Sequence, residues 1–140
     1  MLVNLSQDKD SLKEKIEAEI GKPFDLVKRE ELGGIDSGLM EITSSSIDIF
    51  NLLILNEGMS TCSLEMRPDG IIIRFQAALE TYALVIPYYK LKIYKGRAKE
   101  YSLYRDNYFI KVKADQQKTH DFMRKLRQFK AQHWTSAKPY

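Results

Sequence analysis

The strongest constraint on the fold is a change of hydrophobic period near the middle of the chain. From Ile47 onward apolar and polar side chains alternate, β-branched and aromatic residues accumulate, and turn signals recur about every 8 to 12 residues. Successive side chains of a strand point to opposite faces, so this alternation indicates strands with one buried and one solvated face. The segment therefore predicts a mostly antiparallel sheet.

The sequence "CSLEMRPDGIIIRF", residues 62 to 75, predicts a β-hairpin. Alternate positions place one apolar set on one face: Cys62, Leu64, Met66, Ile71, Ile73 and Phe75. Pro and Gly of "RPDG" occupy turn positions between the two strands. The next strand, "ETYALVIP", is predicted to end at Pro87, which lacks an N–H for the ladder, and "YYKLKIY" is predicted to continue beyond it.

The last hairpin can be assigned a register. A loop at Asp106 and Asn107 pairs Tyr104 with Phe109, Leu103 with Ile110, Ser102 with Lys111, Tyr101 with Val112 and Glu100 with Lys113. The side chains expected to face inward are Tyr101, Leu103, Ile110 and Val112. Those expected to face outward are Glu100, Ser102, Tyr104, Phe109, Lys111 and Lys113.

An amphipathic helix is predicted in "SQDKDSLKEKIEAEIGKP". Its apolar stripe consists of Leu12, Ile16 and Ile20. Ser11 and Glu14 form a capping-box pattern, and Gly21 and Pro23 stop the helix. Because its polar face mixes Glu and Lys, we expect this helix to dock on its own domain rather than on a membrane.

A second helix is predicted after Ala114, with Asp115 or Thr119 as its N-cap. Its apolar stripe consists of Phe122, Met123, Leu126 and Phe129, and its other faces carry Arg124, Lys125, Arg127 and Lys130. Strands this apolar need a cover, so we expect this helix to pack over the sheet. A basic amphipathic helix that binds a partner or a membrane is the alternative.

The sequence between the first helix and the sheet is less regular. Residues 24 to 46 contain several glycines and a serine run, which predicts an irregular connection with one short strand at residues 39 to 43. The apolar run "IDIFNLLIL", residues 47 to 55, favours a strand, and a helix capped by residues 44 to 46 is the alternative.

The order of these elements predicts an α+β fold. We expect a mostly antiparallel bent sheet or partly open barrel, closed by the C-terminal helix, with an extra N-terminal helix. "TYALVIPYYKLKIYK" resembles the strand, Ile-Pro and next-strand step of bacterial pleckstrin-homology-like (PH-like) and GRAM-type domains. "YSLYRDNYFIKVKADQQKTHDFMRKLRQF" is similar to their final hairpin and closing helix, so the resemblance covers roughly residues 40 to 132.

The resemblance implies a binding domain, since PH-like domains variously bind phosphoinositides, peptides or other proteins. The phosphoinositide-binding members carry Lys and Arg around the loop between their first two strands. The corresponding stretch here, "LILNEGMSTCS", has Glu57 as its only charged residue. This departure counts against an inositol-phosphate site.

The composition fits one domain. A chain of 140 residues with 44% apolar residues can bury about two thirds of its unfolded surface. We expect residues 1 to 38 to form the first helix and the connection, residues 39 to 132 the PH-like core and residues 133 to 140 a tail. The sequence has no transmembrane-like apolar run, no secretory pattern and a single cysteine, so we expect a cytoplasmic protein.

No residue is predicted to be catalytic, and no cofactor or metal is expected. The candidate metal ligands His120, His133 and Cys62 are expected on a helix, a tail and a strand, without paired ligand spacing. Cys62 shares its face with apolar residues, where a thiol is usually inert. Acidic neighbours such as Glu30 and Glu31 lie in polar stretches, where carboxylates normally face water.

Charge is divided unevenly along the chain. Residues 86 to 140 carry 14 Lys and Arg against 4 Asp and Glu, whereas residues 1 to 85 carry 8 against 15. The candidate partner surface lies in the basic part and combines lysines with aromatic side chains: Lys90, Lys92, Tyr94, Tyr104, Phe109, Lys111 and Lys113. Such a face is either an ordinary solvated sheet face or a partner site.

We expect a non-enzymatic binding or adaptor domain that docks a protein or peptide. Docking would occur by strand addition at a sheet edge or in the groove between the last helix and the sheet. The unidentified partner can also be a second copy of the chain, in a homodimer. The alternative is electrostatic binding of an anionic ligand, either nucleic acid or acidic lipid, by the basic C-terminal half. An enzyme with a pocket beside the glycine-rich segment is a third hypothesis.

Overall fold

The computed structural model describes residues 1–7, 9–97 and 99–137, in which the chain forms four helices and eight strands. The helices are α1 (Lys9–Ile20), α2 (Leu26–Glu31), α3 (Ile47–Leu53) and α4 (Gln117–Ala137). The strands are β1 (Leu2–Asn4), β2 (Met40–Ser45), β3 (Thr61–Met66), β4 (Gly70–Ala77), β5 (Glu80–Pro87), β6 (Lys92–Lys95), β7 (Glu100–Arg105) and β8 (Tyr108–Lys113). Within these residues, no helix is both long and apolar enough to cross a bilayer.

The strands form one open antiparallel sheet in the order β1-β5-β4-β3-β2-β8-β7-β6. The predicted α+β class is therefore confirmed, with an N-terminal helix, α1, and a C-terminal helix, α4, that follows the last strand. The sequence did not predict β1, which extends the sheet beyond β5 by placing Leu2 opposite Leu84. β5 ends at Pro87 as predicted, and a turn separates it from β6.

Both predicted hairpins are confirmed. In the first, β3 and β4 pair Cys62 with Phe75, and the turn closes where the Arg67 N–H donates to the Gly70 carbonyl at 2.8 Å. In the second, β7 and β8 have the predicted register at every pair: Glu100 with Lys113, Tyr101 with Val112, Ser102 with Lys111, Leu103 with Ile110 and Tyr104 with Phe109. The four side chains expected to face inward are all buried.

β2 changes its partner along its length. At its start it pairs with β3, and the Ile42 N–H donates to the Ser60 carbonyl at 2.9 Å. Its pairing with β8 begins at Ile42, opposite Val112, and after an irregularity between Ile42 and Ser44 it continues with Ser45 opposite Ile110. A break in register of this kind bends a strand, so the sheet folds around one core.

The main core lies on the inner face of the bent sheet. Strand residues from both halves of the sheet contribute to it: Leu64, Met66, Ile73, Leu84, Ile86, Leu103, Ile110 and Val112. α4 contributes Phe122, Met123 and Leu126, with Phe129 packed at the margin. The predicted apolar stripe of the last helix therefore covers the sheet.

α1 lies on the outer face of the sheet, over β4 and β5. Its Ile16 and Ile20 form a second apolar cluster with Ile72, Ala83 and Val85. Two residues of the predicted stripe, Ile16 and Ile20, are therefore confirmed as buried, whereas Leu12 is half-buried and lies outside the cluster, and this helix docks on its own domain.

The C-terminal end of α1 is held by a buried ionic cluster. Arg67 Nη1 donates to the Gly21 carbonyl at 3.0 Å, and Glu65 accepts from Arg67 and from Arg74, each at 2.7 Å. Burial raises the pKa of Glu65, but the hydrogen bonds and charges of the two arginines outweigh it and hold the pKa below its ordinary value. The carboxylate therefore stays charged and ties β3, β4 and the end of α1 together.

The interpretation of residues 47 to 55 as a strand is wrong. The segment begins with a helix, α3, which buries Ile49 and Leu53 and leaves Phe50 exposed. The alternative of a helix after the serine run is therefore correct. Asp48 and Asn51 are the two polar residues of this run, and so short an apolar segment gives too weak a period to distinguish strand from helix.

The connection after α1 is more regular than predicted. α2 forms within it, and the Asp25 side chain accepts from the Lys28 N–H at 2.8 Å as an N-cap. The short predicted strand is confirmed, although β2 spans Met40–Ser45. Ser11 does not cap α1, because the helix already begins at Lys9.

The boundaries of the last helix and one outward position also differ from prediction. α4 begins at Gln117, so neither Asp115 nor Thr119 is its N-cap, and it continues through His133, which was expected in a tail. Residues 138–140 of that predicted tail lie outside the described residues. Ser102, expected to face solvent, is only 6% exposed, since it lies between neighbours on its row of the sheet.

Candidate functional site

The predicted partner surface lies on the outer face of β6, β7 and β8. The register places Lys92, Tyr104 and Phe109 in one row across the strands, and Tyr94 and Lys111 in the next row. Lys92 and Tyr94 are exposed, and the other three are half-buried. The structure therefore brings these five residues together.

The aromatic rings of this face contact each other. The Tyr94 and Tyr104 ring centroids are 5.5 Å apart, and those of Tyr104 and Phe109 are 5.3 Å apart. Edge-to-face and tilted contacts at this distance are favourable, so the rings form a continuous ridge.

The other two predicted residues, Lys90 and Lys113, are at the margin of this face. Lys90 lies in the turn before β6, and its Nζ is 3.5 Å from Asp106 Oδ2. Lys113 Nζ is 3.7 Å from Asp115 Oδ2. Each of these cations is therefore partly neutralised by an acidic neighbour.

β6 is the edge strand of the sheet, and alternate main-chain groups of β6 point away from β7. The Gly96 N–H donates to the Glu100 carbonyl at 2.7 Å, which fixes the alternation of the antiparallel ladder. The N–H and C=O groups of Ile93 and Lys95 therefore point toward the open side. Such an edge is a template for pairing with another strand.

A groove runs between this open edge and α4. It consists of two cavities of about 340 and 460 Å³, which share Arg127 in their lining. Its cationic side chains are Lys92, Lys95, Arg124, Arg127 and Lys130. We call this groove, defined by these five residues, the basic groove.

Arg127 connects α4 to the strand edge. Its Nη2 donates to the Ile93 carbonyl oxygen at 3.3 Å, one of the groups that point away from β7. Its guanidinium lies 5.8 Å from the centroid of the Tyr101 ring, whose hydroxyl is 3.0 Å from His120 Nδ1. The groove therefore offers main-chain hydrogen bonding on one wall and donor groups on the other.

The basic groove carries uncompensated positive charge. Arg124 lies 3.5 Å from Asp121, but Lys92, Lys95 and Lys130 have no ion-pair partner among the described residues. Positive charge lining a cleft raises the local concentration of anionic ligands.

Cys62 lies in another part of the molecule, on β3 at the margin of a cavity of about 550 Å³. Its side chain is buried, and burial raises the pKa of the thiol to about 12, so the thiol stays protonated at neutral pH. His133, His120 and Cys62 do not come together: His133 Nε2 contacts Asp69 Oδ1 at 2.7 Å, and His120 contacts Tyr101. In residues 1–7, 9–97 and 99–137, no three His, Cys, Asp or Glu side chains are grouped as a metal site.

Sequence reasoning selected the residues of the outer face, and it named a groove between the last helix and the sheet without selecting the residues that line it. Alternation within β6 to β8 identifies which side chains share a face. Lys95 and Arg127 were not selected, because the edge position of β6 follows from strand order, to which distant segments contribute. The sequence signal that could have indicated the groove is a helix rich in Lys and Arg that follows a lysine-rich strand.

Comparisons with protein-family models, with curated proteins and with solved structures found no match to this chain.

Proposed function

We propose that the protein is a non-enzymatic binding domain that takes up an acidic, extended peptide segment along the free edge of β6. The observation that carries this proposal is the basic groove: outward-pointing main-chain groups of Ile93 and Lys95 lie beside five cationic side chains. Strand addition gives affinity through main-chain hydrogen bonds and specificity through side chains on alternate positions. The two predicted docking modes, edge and helix–sheet groove, thus coincide in one place.

The positive charge of the basic groove favours a partner with acidic side chains. A bound strand would place its N–H groups against the carbonyls of the β6 edge, replacing the bond from Arg127 to Ile93. The released guanidinium then meets a carboxylate of the peptide, an interaction for which Arg is well suited. Acidic residues on the peptide also neutralise Lys95 and Lys130.

The same charges disfavour pairing with a second copy through this edge. Two antiparallel copies of β6 would bring Lys92 and Lys95 of one chain close to those of the other. Like charges across a strand pair are destabilising, and lysines on edge strands prevent such pairing. The partner of the groove is therefore a different, acidic chain rather than a homodimer mate.

The test uses a fluorescein-labelled peptide in which glutamate alternates with valine, measured by fluorescence anisotropy. Lys95→Ala removes one cation and is expected to weaken binding about threefold, as for one partly exposed charge. Lys95→Pro also removes the outward N–H, and a lost hydrogen bond of about 1 kcal/mol adds roughly fivefold. Proline is tolerated where an edge N–H faces away from the sheet.

The control is Lys111→Ala, which removes a cation from the outer face and is expected to leave the affinity unchanged. A peptide with lysine in place of glutamate should not bind. Equal affinities for Lys95→Pro and Lys95→Ala, in variants with unchanged thermal unfolding, would contradict strand addition.

A second candidate function is binding of an anionic ligand, nucleic acid or acidic lipid, on the outer face. It is supported by the ridge of Tyr94, Tyr104 and Phe109, flanked by Lys92 and Lys111, since bases stack on exposed aromatic rings beside cations. Oligothymidylate binding that weakens steeply with salt and is lost in Tyr94→Ala would favour this function. Retention of binding in that variant would exclude it.

The PH-like relationship and the cytoplasmic location belong to the same proposal. Support for the first is that β2 to β8 form a bent antiparallel sheet and that α4, which follows them, packs into its inner face. Support for the second is the single free thiol of Cys62, which agrees with a reducing compartment.

A further inference from the structure

α3 exposes bulky apolar side chains to solvent beside its two polar residues, Asp48 and Asn51. Its inner stripe, Ile49 and Leu53, is buried in the core. Its other stripe, which follows helical spacing, is exposed: Ile47 by 67%, Phe50 by 49% and Ile54, just past its end, by 59%. A surface helix normally turns polar residues outward, and three bulky apolar side chains on the solvent side of a seven-residue helix and its C-cap depart from that pattern.

Further exposed apolar side chains adjoin this stripe. Leu55 and Met59 follow α3, and Met59 lines a cavity of about 360 Å³ together with Phe50 and Ile54. Met59 and Leu39 also line the neighbouring cavity. We call this surface the α3 patch: Leu39, Ile47, Phe50, Ile54, Leu55 and Met59. Contiguous apolar patches of this kind mark interaction sites.

The floor of the patch contains strand groups without strand partners. β2 leaves β3 after Ile42, and its register with β8 directs the main-chain N–H and C=O of Ser45 away from β8, toward the cavity. The Ser45 hydroxyl is buried and has no hydrogen-bond partner among the described residues. This part of the fold therefore leaves apolar side chains exposed to water, and among the described residues it leaves polar groups without hydrogen-bond partners.

The charge around the patch is negative. Asp48 lies on α3, Glu41 on β2 and Glu57 in the turn that follows α3. None of these carboxylates has an ion-pair partner among the described residues. Lys111 lies on the neighbouring strand, and Arg74, which lines the adjoining cavity, is already bound to Glu65.

We propose that the α3 patch binds a basic amphipathic helix of a partner protein. The helix would lay its apolar stripe along Ile47, Phe50 and Ile54 and place Lys or Arg against the unpaired carboxylates. A second copy of the chain is disfavoured, because a two-fold axis through the patch would bring its acidic rim against the same acidic rim. This site is independent of the basic groove, and it makes the protein a connector of two oppositely charged partners.

The experiment uses a fluorescein-labelled helical peptide of leucine and lysine, with an otherwise identical leucine–glutamate peptide as probe control. Anisotropy is measured at about 0.15 M salt. The triple variant Ile47→Gln, Phe50→Gln, Ile54→Gln is expected to weaken binding by about 30-fold or more, because apolar anchors dominate such interfaces. Asp48→Asn with Glu57→Gln is expected to weaken it about fivefold and to reduce its salt dependence, since Glu41 remains charged.

The matched control is Leu26→Gln with Val27→Gln, which removes exposed apolar side chains of α2 and should change the affinity by less than about twofold. In the unmutated protein, the lysine peptide should shift the amide NMR signals of residues 47 to 55. Shifts confined to other segments, equal loss in the α2 variant or equal binding of the glutamate peptide would each overturn the proposal. A dimer in sedimentation velocity that the triple variant dissociates would also overturn it, since a second copy would then be the occupant.

Discussion

α1 and α3 are both short helices packed on the same sheet, and they differ in what their outer surfaces carry. α1 buries Ile16 and Ile20 and exposes alternating lysines and glutamates. α3 buries Ile49 and Leu53 in the same way, but it exposes a second apolar stripe. The outer surface of α1 is therefore polar and suited to contact with water, whereas α3 leaves apolar side chains in contact with water.

Each of the two helices is held at one end by hydrogen bonds to a neighbouring strand or turn. α1 ends against the β3–β4 turn, where the Asp69 N–H donates to the Ile20 carbonyl at 2.9 Å and Arg67 holds Gly21. The Ser46 N-cap residue of α3 makes no side-chain cap to its own helix and instead accepts from the Phe109 N–H at 3.1 Å. The Ser46 N–H also donates to the Phe109 carbonyl at 3.0 Å, so α3 is anchored to β8, and it differs from α1 in its exposed apolar stripe rather than in its anchoring.

The largest effect is expected on the buried stripe of α3. Ile49→Ala should lower the free energy of unfolding by about 3 kcal/mol, since the side chain is fully buried and its removal leaves a cavity. Phe50→Ala, one residue further on the exposed stripe, should lower it by less than about 1 kcal/mol. Urea unfolding at neutral pH measures both. Equal losses would mean that Phe50 is part of the core, and the comparison with α1 would fail.

A smaller effect is expected where α1 approaches the sheet. A Cβ on Gly70 would overlap Ile20 Cγ2 and the Ile86 carbonyl oxygen and come within 2.8 Å of Pro87 Cα. Gly70→Ala should therefore cost about 2 kcal/mol in unfolding free energy, because two of the three neighbours are main-chain atoms that cannot move aside. Gly96→Ala is the matched control, since its nearest neighbour would be the Glu100 carbonyl oxygen at 3.5 Å, and it should cost less than about 0.5 kcal/mol. Similar costs for both variants would show that α1 tolerates displacement.

The difference between the two helices also explains what the sequence could predict. In α1, polar residues interrupt the apolar ones at helical spacing, so both the helix and its buried face follow from the pattern. In "IDIFNLLIL" Asp48 and Asn51 are the two polar residues among seven apolar ones, so the helical period is weak and the segment resembles a buried strand. The feature that misled the prediction is the same exposed apolar surface from which the partner site is inferred.

The candidate site was predictable to a similar degree. The register of the last hairpin followed from its loop and its matched side chains, and it placed Tyr104 beside Phe109 correctly. The open edge at Ile93 and Lys95 could not be predicted, because the residues of β6 do not indicate whether this strand has a neighbour on one side or on both. That property depends on where β2 and β8 pair, far away in the sequence.

The smallest effect concerns the hydroxyl groups of two serines at β2 and just before it. Ser37 Oγ donates to the Gly38 carbonyl at 2.7 Å and accepts from the Leu64 N–H at 2.9 Å, so Ser37→Ala should cost about 1 to 2 kcal/mol in unfolding free energy. The Ser45 hydroxyl, beside α3, is buried without a partner among the described residues, so Ser45→Ala should leave stability unchanged or raise it by about 0.5 kcal/mol. Parallel urea titrations distinguish the two. A loss at Ser45 as large as that at Ser37 would mean that this hydroxyl is satisfied in solution, and the region around α3 would then be as complete as the region around α1.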